Sequence, residues 1–268
     1  QRMKAYLNKI SKNGNIQKKL VYMNHHLTHA ASAARCSGFN ECIILTLDGV
    51  GEDESGSVSV YSNGNIKKLK SIGMNQSLGA LYTDFTALCG FKSHSHEGKT
   101  MGLAPFGSLI EGLQEKLIKF HHKGYTLKKN WNKTLIKSFK SRRPDEDLSD
   151  IHKNLAFTAQ DSLEKCALSI VNYYSKKLNI KNIALAGGVA LNCDMNTKIL
   201  FSKNIDEVFV QPASNDAGCA LGAALELYYQ KTNKDPNFRL KNSYYGPSYS
   251  QKEVIDFLVE SKISYRKS

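Results

Sequence analysis

The chain has 268 residues, of which 41% are hydrophobic, and this is enough apolar material for one large domain or two lobes. No apolar run reaches the roughly 18 residues that a membrane-spanning helix needs, so we expect no membrane span. The formal net charge of +13 comes from 37 Lys and Arg against 24 Asp and Glu, but the basic residues are scattered and do not interleave with aromatic residues, which argues against nucleic acid as the partner.

The first third of the chain predicts a helix followed by a small meander of strands. A short strand is expected over residues 16–22 and an Ala-rich helix over residues 25–37. The compact apolar run at residues 42–47 is typical of a buried strand. Alternating residues on both sides of the Asn-Gly pair at 63–64 predict a hairpin, so residues 42–72 should form three strands.

The rest of the chain predicts helices that alternate with strands. A helix at 77–89 is followed by a Gly-, His- and Ser-rich stretch at 91–108 that we expect to be a loop, and by a Lys-rich surface insertion at 109–150. The later predicted elements are helix 151–177, strand 182–186, helix 189–201, strand 206–210, helix 216–230, linker 231–250 and helix 251–262.

This order indicates an α/β fold, specifically one lobe of an actin-like ATPase domain of the ASKHA or ribonuclease H-like class. We predict that residues 1–40 end a first lobe, residues 41–230 form the second lobe, and residues 231–268 form a linker and the start of a C-terminal region. Such domains bind ligands in a cleft between two lobes. A chain that opens at Gln1 and shows one complete lobe is therefore expected to be a piece of a longer protein.

Two histidines on the first predicted helix are candidate metal ligands. His25 and His29 lie four residues apart and share one face of the helix, where two imidazoles can bind one divalent metal. The metallopeptidase motif H-E-x-x-H has the same spacing but needs a glutamate where this sequence has His26. A peptidase is thus disfavoured, and the spacing alone leaves helix-cap or core histidines as an equal alternative.

Two aspartates follow predicted strands, at positions that commonly face a cleft. Asp48 ends a strand and precedes Gly49 and Gly51, which allow backbone N–H groups to approach a phosphate. Asp216 begins a helix and is either an N-cap residue or a metal ligand. For Asp48, an ordinary Asp-Gly turn after a strand remains an alternative.

The Gly187-Gly188 pair joins a predicted strand to a helix. This junction allows a nucleotide to approach the helix N-terminus, although the spacing is not that of a Walker loop. A tight packing turn is the alternative.

The predicted loop at 91–108 contains Glu97 and Lys99 on either side of a glycine. The glutamate is suited to a ligand hydroxyl and the lysine to an anionic group. Solvated loop charges are the alternative interpretation.

Taken together and in this order, the motifs resemble the nodulation-type O-carbamoyltransferase family, which is related to the tRNA threonylcarbamoyl-transfer enzymes. Both groups share H-x-x-x-H and a later aspartate, but the EGKTMGLAPFG and DGVGE segments are closer to the carbamoyltransferases. The matching segments span residues 24–224 and are NHHLTHAASA, ILTLDGVGE, EGKTMGLAPFG, ALAGGVALN and VQPASNDAGCALGAAL.

The resemblance implies specific roles for residues of this chain. It implies a divalent metal, Fe²⁺ in the first instance, held by His25, His29, Asp48 and Asp216, and two imidazoles with two carboxylates suit Fe²⁺ or Mn²⁺. The residues expected to contact the nucleotide are Gly49, Gly51, Gly187, Gly188, Val189 and Asn192. The residues expected to be catalytic are Glu97, Lys99 and His26.

The resemblance also implies a reaction. A C-terminal domain would make carbamoyl-adenylate from ATP and carbamoyl phosphate, and this chain would pass the carbamoyl group to a hydroxyl of a sugar-like or natural-product acceptor. A tRNA threonylcarbamoyl-type modifying enzyme and a non-catalytic nucleotide-binding fragment remain alternatives.

Several expectations concern the chain as a separate molecule. Without its first lobe and the adenylate-forming domain, the fragment is predicted to be inactive. Apolar surface left uncovered near residues 21–35 and 185–195 is expected to favour association of two copies. The six cysteines include no C-x-x-C pair, which indicates a reducing cytoplasm without structural disulfides or zinc.

Overall fold

The computed structural model describes residues 20–143 and 145–266. Most of the predicted strand at 16–22 lies outside these residues, and its described part, residues 20–22, has no strand structure. The elements in the first half are α1 (His25–Ala34), β1 (Glu41–Gly51), β2 (Glu54–Ser62), β3 (Asn65–Gly73), α2 (Leu78–Leu88), α3 (Glu97–Leu103), α4 (Leu113–Leu117), β4 (Ile118–His121), β5 (Gly124–Leu127) and α5 (Trp131–Ser138). The elements in the second half are α6 (Asp150–Leu178), β6 (Asn182–Ala186), α7 (Cys193–Leu200), β7 (Glu207–Val210), α8 (Cys219–Thr232) and α9 (Gln251–Glu260).

The main sheet of the described chain has the strand order β3-β2-β1-β6-β7. Strands β1 to β3 form an antiparallel meander, which confirms the predicted three-stranded unit. Strand β6 pairs in parallel with β1, and β7 pairs in parallel with β6. The fold is therefore mixed α/β with a partly parallel sheet, and its central strand β1 has the carboxyl end at the same edge as those of β6 and β7.

Side chains that alternate along β1 and β6 divide the core between the two faces of the sheet. On one face Ile43, Leu45 and Leu185 join the larger core beneath α2 and α6. On the other face Ile44 and Ala184 join a smaller cluster of mainly small side chains beneath α1. Because both faces of β1 are covered, its sequence is a continuous apolar run.

The stretch at 91–108, predicted to be a loop, contains helix α3 and a 3₁₀ turn at Ala104–Phe106. The stretch at 109–150, predicted to be a Lys-rich surface insertion, also has regular secondary structure. It folds into α4, the β4–β5 hairpin and α5, and its buried apolar residues belong to the main core. These elements are four to eight residues long, which is too short for a hydrophobic period to be visible.

The long helix α6 spans 29 residues and packs beneath the sheet. A capping box fixes its start, because the Nδ1 atom of His152 accepts a hydrogen bond from the backbone N–H of Ser149 at 3.1 Å. Asn179 ends the helix in the left-handed conformation. The predicted helix at 151–177 is thus confirmed to within a residue at each end.

A buried ion-pair network connects the end of α1 with α8 and with the chain that follows α8. Arg35 is fully buried and pairs with Glu226 at 2.7 Å and with Asp235 at 2.9 Å. Beyond α8, the N–H groups of Phe238 and Leu240 donate to the carbonyls of Arg35 and Cys36 at 3.0 and 2.8 Å. Residues up to 240 of the predicted linker at 231–250 are thus attached to the rest of the fold.

Two further observations concern the described chain as a whole. None of its helices combines the length and the apolar character needed to cross a bilayer. All six cysteines are free thiols, and Cys36, Cys42, Cys89 and Cys166 are buried. Burial raises the pKa of Cys36 to about 11 and that of Cys89 to about 12, so these thiols are protonated at neutral pH.

Candidate metal centre and adjoining cavity

The two histidines of α1 meet a carboxylate at the end of β1. The Nε2 atoms of His25 and His29 are 3.1 Å apart. The Oδ2 atom of Asp48 lies 3.1 Å from Nε2 of His25 and 3.3 Å from Nε2 of His29. Asn24 fixes the start of α1 by accepting a hydrogen bond from the N–H of Leu27 at 3.0 Å.

The fourth side chain of the cluster follows β7, the strand at one edge of the sheet. Asp216 follows β7 and begins the 3₁₀ turn at Asp216–Gly218. Its Oδ1 lies 3.7 Å from Nε2 of His25 and 3.6 Å from Nε2 of His29. The structure thus brings together the four residues that the sequence proposed as ligands, although they come from positions 25 to 216 of the chain.

Glycines provide the space in which this cluster forms. A Cβ atom on Gly51 would lie 2.0 Å from the ring of His25, and one on Gly222 would lie 1.9 Å from the carbonyl oxygen of Thr28. Gly222 therefore allows α8 to approach α1 closely. Gly51 is not among the residues that line the adjoining cavity, and its missing side chain makes room for the ring of His25.

Asp48 is the electrostatic centre of the cluster. Burial alone would raise the pKa of Asp48, but hydrogen bonds with His29, His25 and the N–H of Gly49 hold that pKa well below its usual range. Its Oδ1 accepts from the N–H of Gly49 at 2.8 Å and from that of Gly188 at 3.3 Å. The carboxylate is therefore ionised and oriented by two backbone donors while its other oxygen faces the histidines.

This donor set fits a divalent cation. Two imidazole Nε2 atoms that face each other at 3.1 Å cannot both present a proton, and a shared cation satisfies both lone pairs together with the two carboxylates. Ligands bound at about 2.0–2.2 Å to one ion stand about 3–3.5 Å from one another, which is close to the separations here. A set of two nitrogens and two oxygens suits Fe²⁺ or Mn²⁺.

A cavity of about 630 Å³ adjoins the cluster and has Asp48 and Asp216 in its wall. Among the predicted cofactor-contacting residues, those that line it are Gly49, Gly188, Val189 and Asn192. Gly187 does not line it. Gly187 has a φ of +92°, and a Cβ there would lie 2.1 Å from the carbonyl oxygen of Leu47, so it serves close packing of the junction against β1.

Glu97 lines the same cavity from the first turn of α3. Its Oε1 accepts hydrogen bonds from the Thr83 hydroxyl at 2.9 Å and from the His94 N–H at 2.7 Å. Among the described residues, Oε2 has no hydrogen-bond partner and is free for a ligand. The carboxylate is thus held in place by one oxygen and available through the other.

Two predicted catalytic residues do not face the cavity. His26 is 1% exposed, and its two ring nitrogens are engaged by the hydroxyl of Thr46 and the carbonyl of Glu54, each at 3.1 Å. It is therefore a core residue that joins α1 to the sheet. Lys99 is exposed, with its ammonium 5.9 Å from the ring centroid of Phe91, and it does not line the cavity.

Sequence analysis did not single out Tyr82, which lines the cavity, or Gln160 and Cys219, which lie outside its lining. The Tyr82 hydroxyl donates to Gln160 at 2.9 Å, and Gln160 forms two hydrogen bonds with the side chain of Asn192. This network joins α2, α6 and the junction after β6, and no spacing signal links positions so far apart. Cys219 was also missed, although it lies three residues after Asp216, and its sulfur is within 4.8 Å of the ligand atoms of His25, His29 and Asp216.

Comparison with known proteins identifies the family. A sequence model described as Carbamoyltransferase N-terminus matches residues 1–225. The chain belongs to the carbamoyltransferase N-terminus family. This carbamoyltransferase domain is similar to nodulation protein NolNO of Sinorhizobium fredii, with 36% identity over 89% of this chain and 35% of that protein. It is also similar to nodulation protein NolO of Bradyrhizobium diazoefficiens, with 34% identity over 87% of this chain and 43% of that protein.

The carbamoyltransferase domain also resembles a solved structure. The crystal structure of HypF from T. kodakarensis matches with a TM-score of 0.51 and 15% identity, over 86% of this chain and 39% of that one. This likeness concerns the fold alone. Across these comparisons the chain spans about two fifths of the length of the proteins that it matches.

Proposed function

We propose that this chain is the carbamoyl-transferring domain of an ATP-dependent O-carbamoyltransferase. The observation that carries the proposal is the convergence of His25, His29, Asp48 and Asp216 beside a cavity of about 630 Å³. In this proposal a further domain of the whole protein makes carbamoyl-adenylate from ATP and carbamoyl phosphate. The acceptor is a hydroxyl of a sugar-like small molecule.

The proposed fold is the second lobe of an actin-like domain. The strand order β3-β2-β1-β6-β7, with an antiparallel meander beside parallel strands, supports this assignment. Residues 41–230 form the lobe, residues 1–40 lead into it from a preceding lobe, and residues 231–268 lead out of it. The cytoplasm is the proposed location, which the six free thiols support.

His25, His29, Asp48 and Asp216 would hold a divalent cation, Fe²⁺ or Mn²⁺, which would supply Lewis-acid stabilisation of negative charge on phosphate and carbonyl oxygens. Gly188 donates its N–H to Asp48 and has no side chain, so a phosphate can approach the backbone there. Val189 and Asn192 form the adjoining wall.

Glu97 receives the proton of the acceptor. The acceptor oxygen attacks the carbamoyl carbon, the new C–O bond forms, and the bond from that carbon to the phosphate oxygen breaks so that AMP leaves with the electron pair. The acceptor proton passes to the free Oε2 of Glu97, because Thr83 and the His94 N–H already occupy Oε1. Two fixed hydrogen bonds keep this base in one orientation, which favours the reaction.

Mass spectrometry tests the proposal. The whole protein, supplied with ATP, carbamoyl phosphate and a panel of sugars and aminosugars, should add a carbamoyl group to at least one acceptor. Glu97→Gln should keep the metal but lower turnover by about 10²–10⁴-fold, whereas His29→Ala should lose both metal and transfer. Glu111→Gln, at an exposed glutamate outside the cavity, is the matched control and should behave as the wild type.

The outcome that contradicts the proposal is equally specific. If the metal-loaded whole protein consumes no carbamoyl phosphate with any acceptor, the chain is a nucleotide-binding relative without this activity. If Glu97→Gln transfers at the wild-type rate, the glutamate is not the base.

A further inference from the structure

The side-chain amide of Gln160 uses its full hydrogen-bonding capacity inside the protein. Gln160 lies on α6 and is only 6% exposed. Its Oε1 accepts from the Tyr82 hydroxyl at 2.9 Å and from Nδ2 of Asn192 at 2.8 Å. Its Nε2 donates to Oδ1 of Asn192 at 2.9 Å and to Oε1 of Glu164 at 2.8 Å. An amide has two acceptor sites and two N–H groups, so Gln160 has nothing left to offer a ligand.

Two fixed groups determine which way round this amide lies. A carboxylate only accepts hydrogen bonds, so the atom of Gln160 that faces Glu164 is the nitrogen, and Lys198 pairs with the other carboxylate oxygen at 3.2 Å. On the other side, Oδ1 of Asn192 accepts from the backbone N–H of Met195 at 2.8 Å as the N-cap of α7. The amides of Gln160 and Asn192 therefore face each other in one arrangement, with oxygen against nitrogen at both contacts.

Two partners of Gln160 belong to the wall of the cavity beside the candidate metal centre. Tyr82 and Asn192 line that cavity, whereas Gln160 and Glu164 do not. Tyr82 comes from α2 and Asn192 from the N-cap of α7, so this wall is assembled from two separate elements. Gln160 lies on a third element and hydrogen-bonds to both residues. It therefore sets how the two parts of the wall stand relative to each other.

Burial makes this part of the wall sensitive to the loss of Gln160. Burial raises the pKa of the Tyr82 hydroxyl above its usual value, and a hydrogen bond from Asn192 only partly offsets this. The phenol thus keeps its proton at neutral pH and needs an acceptor for it. Without Gln160, the Tyr82 proton and the Asn192 amide lose buried partners and have to turn elsewhere to find others.

We propose that Gln160 is a positioning residue of the cavity, which holds Tyr82 and Asn192 in the arrangement that receives the nucleotide. It acts through these two side chains and does not touch the ligand itself. This inference rests on the proposed function, in which AMP is the leaving group of the transfer. A wall that is fixed before the ligand arrives avoids the cost of ordering side chains on binding.

Calorimetric titration of the chain with AMP, in the presence of Co²⁺, tests this role. Gln160→Met keeps the length of the side chain but removes the amide. To bind AMP, this variant has to restore a wall whose buried groups have lost their partners, so its affinity should fall by about 5–150-fold. Gln160→Asn keeps an amide but draws it back from its partners, and it should show a smaller loss. This second variant also serves if the methionine variant does not fold.

Gln114 provides the matched control for a general effect on stability. It is 2% exposed, and its Nε2 donates to Asp161 at 2.6 Å and to Ser162 at 2.9 Å on α6. Neither Gln114 nor these partners line the cavity. Gln114→Met therefore also removes a buried amide that is bonded to α6, and urea unfolding should show a loss of stability. It should nevertheless bind AMP as the wild type does.

A double-mutant cycle shows whether Gln160 acts through Tyr82. Tyr82→Phe removes the hydroxyl that donates to Gln160 and should itself weaken AMP binding. In the variant that combines Tyr82→Phe with Gln160→Met, the loss of AMP affinity should be smaller than the product of the two single losses, because both changes break the same hydrogen bond. Near-ultraviolet circular dichroism of each variant should match the wild type, which shows that the fold is intact.

Distinct results overturn the inference and the function on which it rests. Equal AMP affinity of the wild type and Gln160→Met would remove the positioning role. An equal loss of AMP affinity in Gln114→Met would remove it as well, because the effect would then be one of stability. Single losses that multiply in the double variant would show that Gln160 does not act through Tyr82. If the wild type binds no AMP, the nucleotide site of the proposed function fails and this inference fails with it.

Discussion

Removal of Glu226 should leave the buried charge of Arg35 partly uncompensated. The guanidinium is fully buried and donates to Oε2 of Glu226 from Nε at 3.2 Å and from Nη2 at 2.7 Å. Breaking a buried pair in this way costs about 3–5 kcal/mol. Asp235 still lies 2.9 Å from Nη1, so we expect Glu226→Ala to lower the free energy of unfolding by an amount near the lower end of this range, about 3 kcal/mol. For a chain of this size that lowers Tm by about 6–12 °C.

Urea unfolding followed by circular dichroism measures this loss. Glu226→Gln is the matched control, because it keeps the size and one acceptor, and it should cost less than Glu226→Ala. The double variant Arg35→Met/Glu226→Met should be more stable than the sum of its single changes predicts, because it removes both charges together. A loss of unfolding free energy below about 1 kcal/mol for Glu226→Ala would refute the reasoning. A double variant whose loss equals the sum of the two single losses would refute it as well.

Three further predictions concern the other parts of the fold. Burial lowers the pKa of His152 below the ordinary value of about 6.5. The unfolded state therefore binds more protons, and the free energy of unfolding should fall as pH drops below about 6.5. His152→Gln, which keeps a capping acceptor, should flatten that part of the profile of stability against pH, and an unchanged profile would contradict this cause. Leu135→Ala should lower the free energy of unfolding in urea by about 2–5 kcal/mol. Ile136→Ala, at the exposed neighbouring residue, should change it by no more than about 0.5 kcal/mol. Equal losses for the two variants would show that the insertion is not part of the core. Gly51→Ala should displace the ring of His25 and abolish Co²⁺ binding, and a retained cobalt spectrum would disprove the need for that space.

The sequence was most informative where burial leaves a regular pattern. Strand β1 is covered on both faces, so it appears as an unbroken apolar run, and the alternation and turn signals on either side of residues 63–64 located the β2–β3 hairpin. The long helix α6 keeps one apolar face over its whole length. Residues 109–150 could not be predicted in this way, because each of their elements buries only one to three side chains.

The candidate site was predictable in its residue types but not in its orientations. Motif order identified the four candidate ligands, and the structure brings their side chains together. Spacing could not show that His26 points into the core or that Lys99 points to solvent, since neighbours of a ligand on a helix face other directions. The contact of Cys219 with His29 depends on how closely two helices pack, and only a three-dimensional structure gives that distance.

The attachment of residues 235–240 has a consequence for where this domain can be shortened. The family match ends at residue 225, one residue before Glu226, and the chain's contacts continue to the N–H of Leu240. A truncation at the family boundary would deprive Arg35 of both its carboxylates and leave two carbonyls at the end of α1 without their donors. A shortened chain that keeps these contacts therefore extends to residue 240, half a helix and one short backbone segment beyond the limit that sequence similarity assigns.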